Sequence, residues 1–156
     1  MAKIFLIAED LEGDAVLLQQ TLKGAGISNP ILTVSDGEEV LAYFKGEGRF
    51  SDRNKFPLPS VLLLDLRMAR VGGYEVLQWF QIHPEFKPLI VIVTGIQEAK
   101  EIQEAYLLGA HSFITKPSTL EDIHKMRKTF GHYWESLSPE PANQNCAQGQ
   151  LALQAA

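Results

Sequence analysis

Five short strand-like runs, three of them wholly apolar, punctuate the chain, and each is followed by a segment whose apolar residues recur at helical spacing. The runs are Ile4 to Ala8, Ile31 to Val34, Val61 to Leu64, Leu89 to Val93 and Ser112 to Thr115. Unbroken apolar stretches of this length predict strands buried on both faces, the signature of a parallel sheet. Between them, Glu12 to Lys23 carries Ala15, Leu18 and Leu22, and a helix opening at Asp36 turns Val40, Leu41 and Phe44 inward. Gly73 to His83 presents Val76, Leu77 and Phe80, Gln97 to Leu108 stops at Gly109, and Thr119 to about Trp134 closes the series. Asp36 with Glu39, and Ser118 with Glu121, match the capping box. Strands separated by single helices require right-handed crossovers, hence a doubly wound α/β fold with helices on both faces.

Two segments depart from this rhythm. Gly46 to Pro59 is too long for a minimal connection, so it is an insertion or a partner-facing loop; Arg49, Phe50, Arg53 and Phe56 are its candidate contacts, against a merely solvated loop. From about Leu137 onward Pro, Asn, Gln, Gly and Ala dominate, which predicts a globular domain over 1–136 and a flexible tail over 137–156.

Composition narrows the classes. A net charge of −5 lacks the basic footprint of a nucleic-acid binder. The single cysteine excludes an intramolecular disulfide. No stretch reaches the length of a membrane span, and the first apolar run is too short for a signal-peptide core. The expectation is a cytoplasmic protein.

The chemistry gathers at strand ends. Glu9-Asp10, Asp65, Thr94 and Lys116 follow the first, third, fourth and fifth runs. In a doubly wound sheet such ends converge on one crevice. Three carboxylates there would repel one another and resist ionising, a conflict that a divalent cation resolves. Mg²⁺ suits few carboxylates, a carbonyl and retained waters, and it usually meets phosphate oxygens. A lysine and a threonine hydroxyl complete a phosphoryl-binding set, leaving Asp65 as the nucleophile for an aspartyl-phosphate. Singly, each residue has a duller reading, as a helix cap or a solvated charge; four independent caps have no reason to fall on strands bordering one crevice.

Ile7-Ala8-Glu9-Asp10, Leu63-Leu64-Asp65-Leu66-Arg67-Met68 with Gly73, Val93-Thr94-Gly95, and Gly109 through Lys116-Pro117 together resemble the receiver domains of two-component response regulators. The long loop, with Asp52-Arg53-Asn54-Lys55-Phe56-Pro57-Leu58-Pro59, is similar more narrowly to single-domain regulators that partner cyanobacterial phytochromes. The resemblance implies a flavodoxin-like five-stranded sheet of order 2-1-3-4-5. It implies phosphate transfer from a sensor histidine kinase to Asp65, with Mg²⁺ held by Asp10, Glu9, Asp65 and the Arg67 backbone carbonyl. Thr94 and Lys116 would meet the phosphate, Gly95 would leave room, Lys116-Pro117 would be a cis bond, and Phe113 would be the switch aromatic. Ala69 stands where relatives have proline, and Ala8 and Leu11 are also atypical; none removes a catalytic group.

Tyr106, His111, Phe113, Tyr133 and Trp134 either complete the core beside the fifth strand or form an interface there. An edge strand must be covered or paired, and a symmetric homodimer is expected. Output would pass through protein contacts. Three alternatives differ in class. A Mg²⁺-dependent aspartyl phosphatase wants a second acid two residues past the nucleophile, where Arg67 stands. An unphosphorylated pseudo-receiver scaffold would not need the complete acidic set. A flavodoxin-type cofactor binder wants a phosphate cradle after the first strand, where Glu9-Asp10 would repel phosphate.

Overall fold

The computed structural model describes residues 3–95, 98–116 and 120–129. The elements run β1 Phe5–Ala8, α1 Glu12–Gly24, β2 Ile31–Val34, α2 Gly37–Lys45, β3 Val61–Leu64, α3 Gly73–Gln81, β4 Leu89–Thr94, α4 Ala99–Leu107, β5 Ser112–Thr115 and α5 Leu120–Thr129. Their all-parallel sheet has the order β2-β1-β3-β4-β5 and is doubly wound, as expected. Pro117, Ser118, Tyr133, Trp134 and the 137–156 tail lie outside the described residues, and with them the expected cis bond, one capping box and two interface candidates.

Period-two alternation divides the core. Leu62, Leu64, Ile90 and Ile92 pack on one face with Val40, Tyr43 and Phe44 of α2 and Val76, Leu77 and Phe80 of α3. Val61, Leu63, Val91 and Val93 pack on the other with Leu18 and Leu22 of α1. Every residue of β1, β3 and β4 is buried, which is why those runs carry no polar positions before their tips. Complete burial of one such side chain contributes about 1.5–3 kcal/mol, so the central strands dominate the stability of the domain.

Two expectations need correction. The Asp36 box is displaced by one residue: Asp36 accepts from the Glu39 N–H at 2.8 Å, but Glu39 accepts from the Ser35 N–H at 2.9 Å rather than from Asp36. Tyr43, not Leu41, is the fully buried residue beside Val40 and Phe44, because the inserted loop covers its side of α2.

The loop is anchored to α2 by its aromatic residues. Phe50 is buried against Tyr43 with ring centroids 4.9 Å apart, and Phe56 meets both rings edge-on. Arg53 donates to the Tyr43 and Phe44 carbonyls at 2.7 and 2.6 Å at the end of α2, where Tyr43 O also accepts from the Gly46 N–H. Arg49 pairs with Glu39, and its guanidinium lies 4.5 Å over the Phe50 ring. All four candidate residues thus make contacts within the chain, Arg49 while 61% exposed.

Candidate functional site

Strand register builds the crevice. Ala8 lies opposite Leu64, so the next residues, Glu9 and Asp65, emerge side by side. Alternation continues Ile7 into Glu9, Leu63 into Asp65 and Ile114 into Lys116, all toward the α1 face. Thr94 pairs with Thr115, which sets Lys116 just beyond. The backbone tightens the strand tips: Asp65 N–H donates to Ala8 O at 3.1 Å, and Lys116 N–H to Thr94 O at 2.9 Å.

Glu9 and Asp65 are buried, Asp10 is exposed, and Thr94 is 1% exposed. One oxygen from each of Glu9, Asp10 and Asp65 lies within 4.8 Å of the others. At that spacing the two buried carboxylates repel by roughly 3 kcal/mol at an effective dielectric near 20, so the trio requires positive charge. Lys116 supplies one such charge. Its Nζ pairs with Glu9, with Asp65 Oδ2 at 2.9 Å and with Asp14 Oδ2 at 3.3 Å. The other Asp65 oxygen accepts from the Arg67 N–H at 3.2 Å, and Glu9 accepts from the Leu11 N–H at 3.1 Å.

Burial pushes the Glu9 carboxyl up to about 7, against the hydrogen bond from Lys116 that lowers it. Burial also works against the Lys116 ammonium, but its bonds to Glu9 and Asp65 outweigh that and raise its pKa. A carboxylate that struggles to ionise beside a lone lysine is what a dication would relieve. The donors are hard oxygens suited to Mg²⁺ or Mn²⁺, so the residues fit a divalent ion.

The open cleft above this cluster is lined by Asp10, Leu11, Asp14, Asp65, Arg67, Thr94, Gly95, Glu98 and Lys116. The sequence-derived residues Asp10, Asp65, Arg67, Thr94, Gly95 and Lys116 therefore share one site. Asp14 and Glu98 do not appear in the sequence-derived set. Asp14 reaches Lys116 from 102 residues away, and its only local signal is an acid in the first turn of a helix. Phe113, Tyr106 and His111 lie elsewhere, around β5. Phe113 is partly buried and meets the exposed Tyr106 edge-on at 6.4 Å, and the His111 ring accepts from the Ile90 N–H at 3.0 Å.

A buried strand-tip carboxylate, a lysine and an acidic cluster able to hold a cation, on this sheet, define a receiver domain. The response regulator receiver domain family matches residues 5–128, and the chain belongs to it. The family is a signalling module rather than a catalytic enzyme: a phosphorylation switch whose acidic cluster suits Mg²⁺-dependent phosphorylation of an aspartate, typically by a histidine kinase, with output through protein contacts. Among individual relatives, the chain is 29% identical over 142 residues to Response regulator Rcp1 of Synechocystis, covering 90% of this chain and 94% of that one. It superposes with a TM-score of 0.75 on response regulator RPA3017, which acts in red light signaling of R. palustris, at 31% identity over 90% of this chain and 99% of that one. The Mn(2+)-bound form of Rcp1 matches with a TM-score of 0.69 at 28% identity, covering 90% and 99%. Among the described residues no helix is long and apolar enough to cross a membrane.

Proposed function

We propose that Asp65 is the phosphoacceptor, that Mg²⁺ is the resident cation, and that a phytochrome-type sensor histidine kinase is the donor. The observation that carries this reading is the Lys116 ammonium 2.9 Å from a buried Asp65 whose neighbours Glu9 and Asp10 could share a cation. In the transfer, an Asp65 carboxylate oxygen forms the new bond to phosphorus, and the phosphorus–nitrogen bond of the donor phosphohistidine breaks. The imidazole leaves with the bonding pair and is protonated.

Glu9, Asp10, Asp65 and the Arg67 carbonyl would hold the cation, which when bound neutralises the carboxylates and the phosphoryl oxygens. Lys116 contributes a point charge to those oxygens. Thr94 offers its hydroxyl from the rim of β4, and Gly95 leaves the space beside it open: a methyl group in place of its hydrogen would meet nothing within 4 Å among the described residues. The similarity to the bacteriophytochrome response regulator AtBRR, at 29% identity and a TM-score of 0.73, supports a phytochrome-type donor. The family match to residue 128 supports a receiver unit ending near 136, with 137–156 as a tail.

Incubation with Mg²⁺ and acetyl phosphate should add one phosphoryl mass, read by intact-mass spectrometry, and neither Asp65→Asn nor a cation-free sample should gain it. Equal labelling of Asp65→Asn would refute the assignment. For output, the reading favours a symmetric homodimer through α4, β5 and α5. β5 is the sheet edge, and Tyr106 and Leu107 beside it are 44% and 75% exposed. Phe113, packed against Tyr106, is then placed to carry the phosphorylation state to that surface.

A further inference from the structure

We infer that Asp14 is a positioning residue for Lys116: its carboxylate retains the ammonium when a divalent cation takes the oxygens of Glu9 and Asp65. The inference rests on the reading of the acidic cluster as the cation site.

The ammonium of Lys116 has three protons and three carboxylates around it, from Glu9, Asp65 and Asp14. Two of these acids belong to the trio whose oxygens converge within 4.8 Å, and Asp14 does not. Lysine and cation therefore compete for the same two side chains. A dication binding hard oxygens displaces a monovalent ammonium from them, and an ammonium that is 18% exposed and stripped of its partners is costly. That cost would appear directly as weaker cation binding.

Asp14 removes it. The residue stands in the first turn of α1, fixed there by the Ala15 N–H bond to Leu11 O at 3.0 Å and by burial of Ala15 and Leu18 beneath it. Its side chain is 41% exposed, against 3% for Glu9 and 6% for Asp65. It therefore keeps contact with solvent and can follow the ammonium outward. The lysine stays at the mouth of the cleft instead of leaving it.

Mn²⁺ titration, read by the electron paramagnetic resonance of the free ion, tests this in the full chain. Asp14→Asn should weaken Mn²⁺ binding roughly two- to fivefold, the range of a partly exposed ion pair. In a Lys116→Met background the same substitution should change the affinity little, because the partner through which Asp14 acts is gone. An equal loss in both backgrounds would mean that Asp14 acts only as a nearby negative charge, and would overturn the proposal. Unchanged binding in Asp14→Asn alone would overturn it too, while leaving the cation site intact. A wild-type protein that binds no Mn²⁺ would instead overturn the cation site itself, and this inference with it.

Discussion

Gly73 opens α3, yet its most consequential neighbour is the backbone of the phosphoacceptor. A Cβ built on Gly73 would lie 2.5 Å from Asp65 O and 2.6 Å from the Leu66 Cα, with Asp65 C at 3.2 Å. Ordinary contacts begin near 3.4 Å, so alanine requires a shift of nearly 1 Å between α3 and the tip of β3. Neither element yields easily. Asp65 is pinned by its N–H bond to Ala8, and Gly73 by its N–H bond to Leu66 O at 3.0 Å. Overpacking of this kind costs about 1–3 kcal/mol, while the better helix propensity of alanine returns at most about 1 kcal/mol. Gly73→Ala should therefore lower stability by about 1–2 kcal/mol. With a urea m-value near 2 kcal/mol/M, the midpoint should fall by roughly 0.5–1 M. Because the displaced atoms belong to Asp65, labelling by acetyl phosphate should slow as well. Gly13→Ala in α1 is the control: its Cβ meets nothing within 4 Å, so the same exchange should stabilise by about 0.4–1 kcal/mol. If Gly73→Ala melts with or above the wild type, the close approach of helix to strand tip is wrong.

Two further outcomes test regions away from the site. Arg53→Ala should cost about 2–3 kcal/mol in urea unfolding, since it strips the Tyr43 and Phe44 carbonyls of a charged donor, and Arg53→Lys should restore only part of that; an unchanged midpoint would show the inserted loop to be a passive connection. Sedimentation at tens of micromolar should reveal a dimer that Tyr106→Glu weakens, whereas a strict monomer with and without a phosphate mimic would remove the α4–β5–α5 interface.

The run Val61 to Leu64 followed by Asp65 was legible because a strand buried on both faces admits no polar residue before its tip, so the first charge after the run marks where the strand leaves the core. Glu9 and Thr94 were readable for the same reason, and Lys116 by its place after the short fifth strand. Helix faces were equally plain in α1 and α3, where Leu18, Leu22, Val76 and Phe80 recur at the helical period. The sequence by itself thus determined the five parallel units and the chemistry at their ends, since both are written in patterns a few residues long. Only the tertiary structure decided that Asp14 meets Lys116, that Arg53 closes the end of α2, and that Tyr43 rather than Leu41 is buried. Each of these depends on a second element arriving from elsewhere in the chain, and local periodicity shows which side of a helix turns inward without showing what will cover the other.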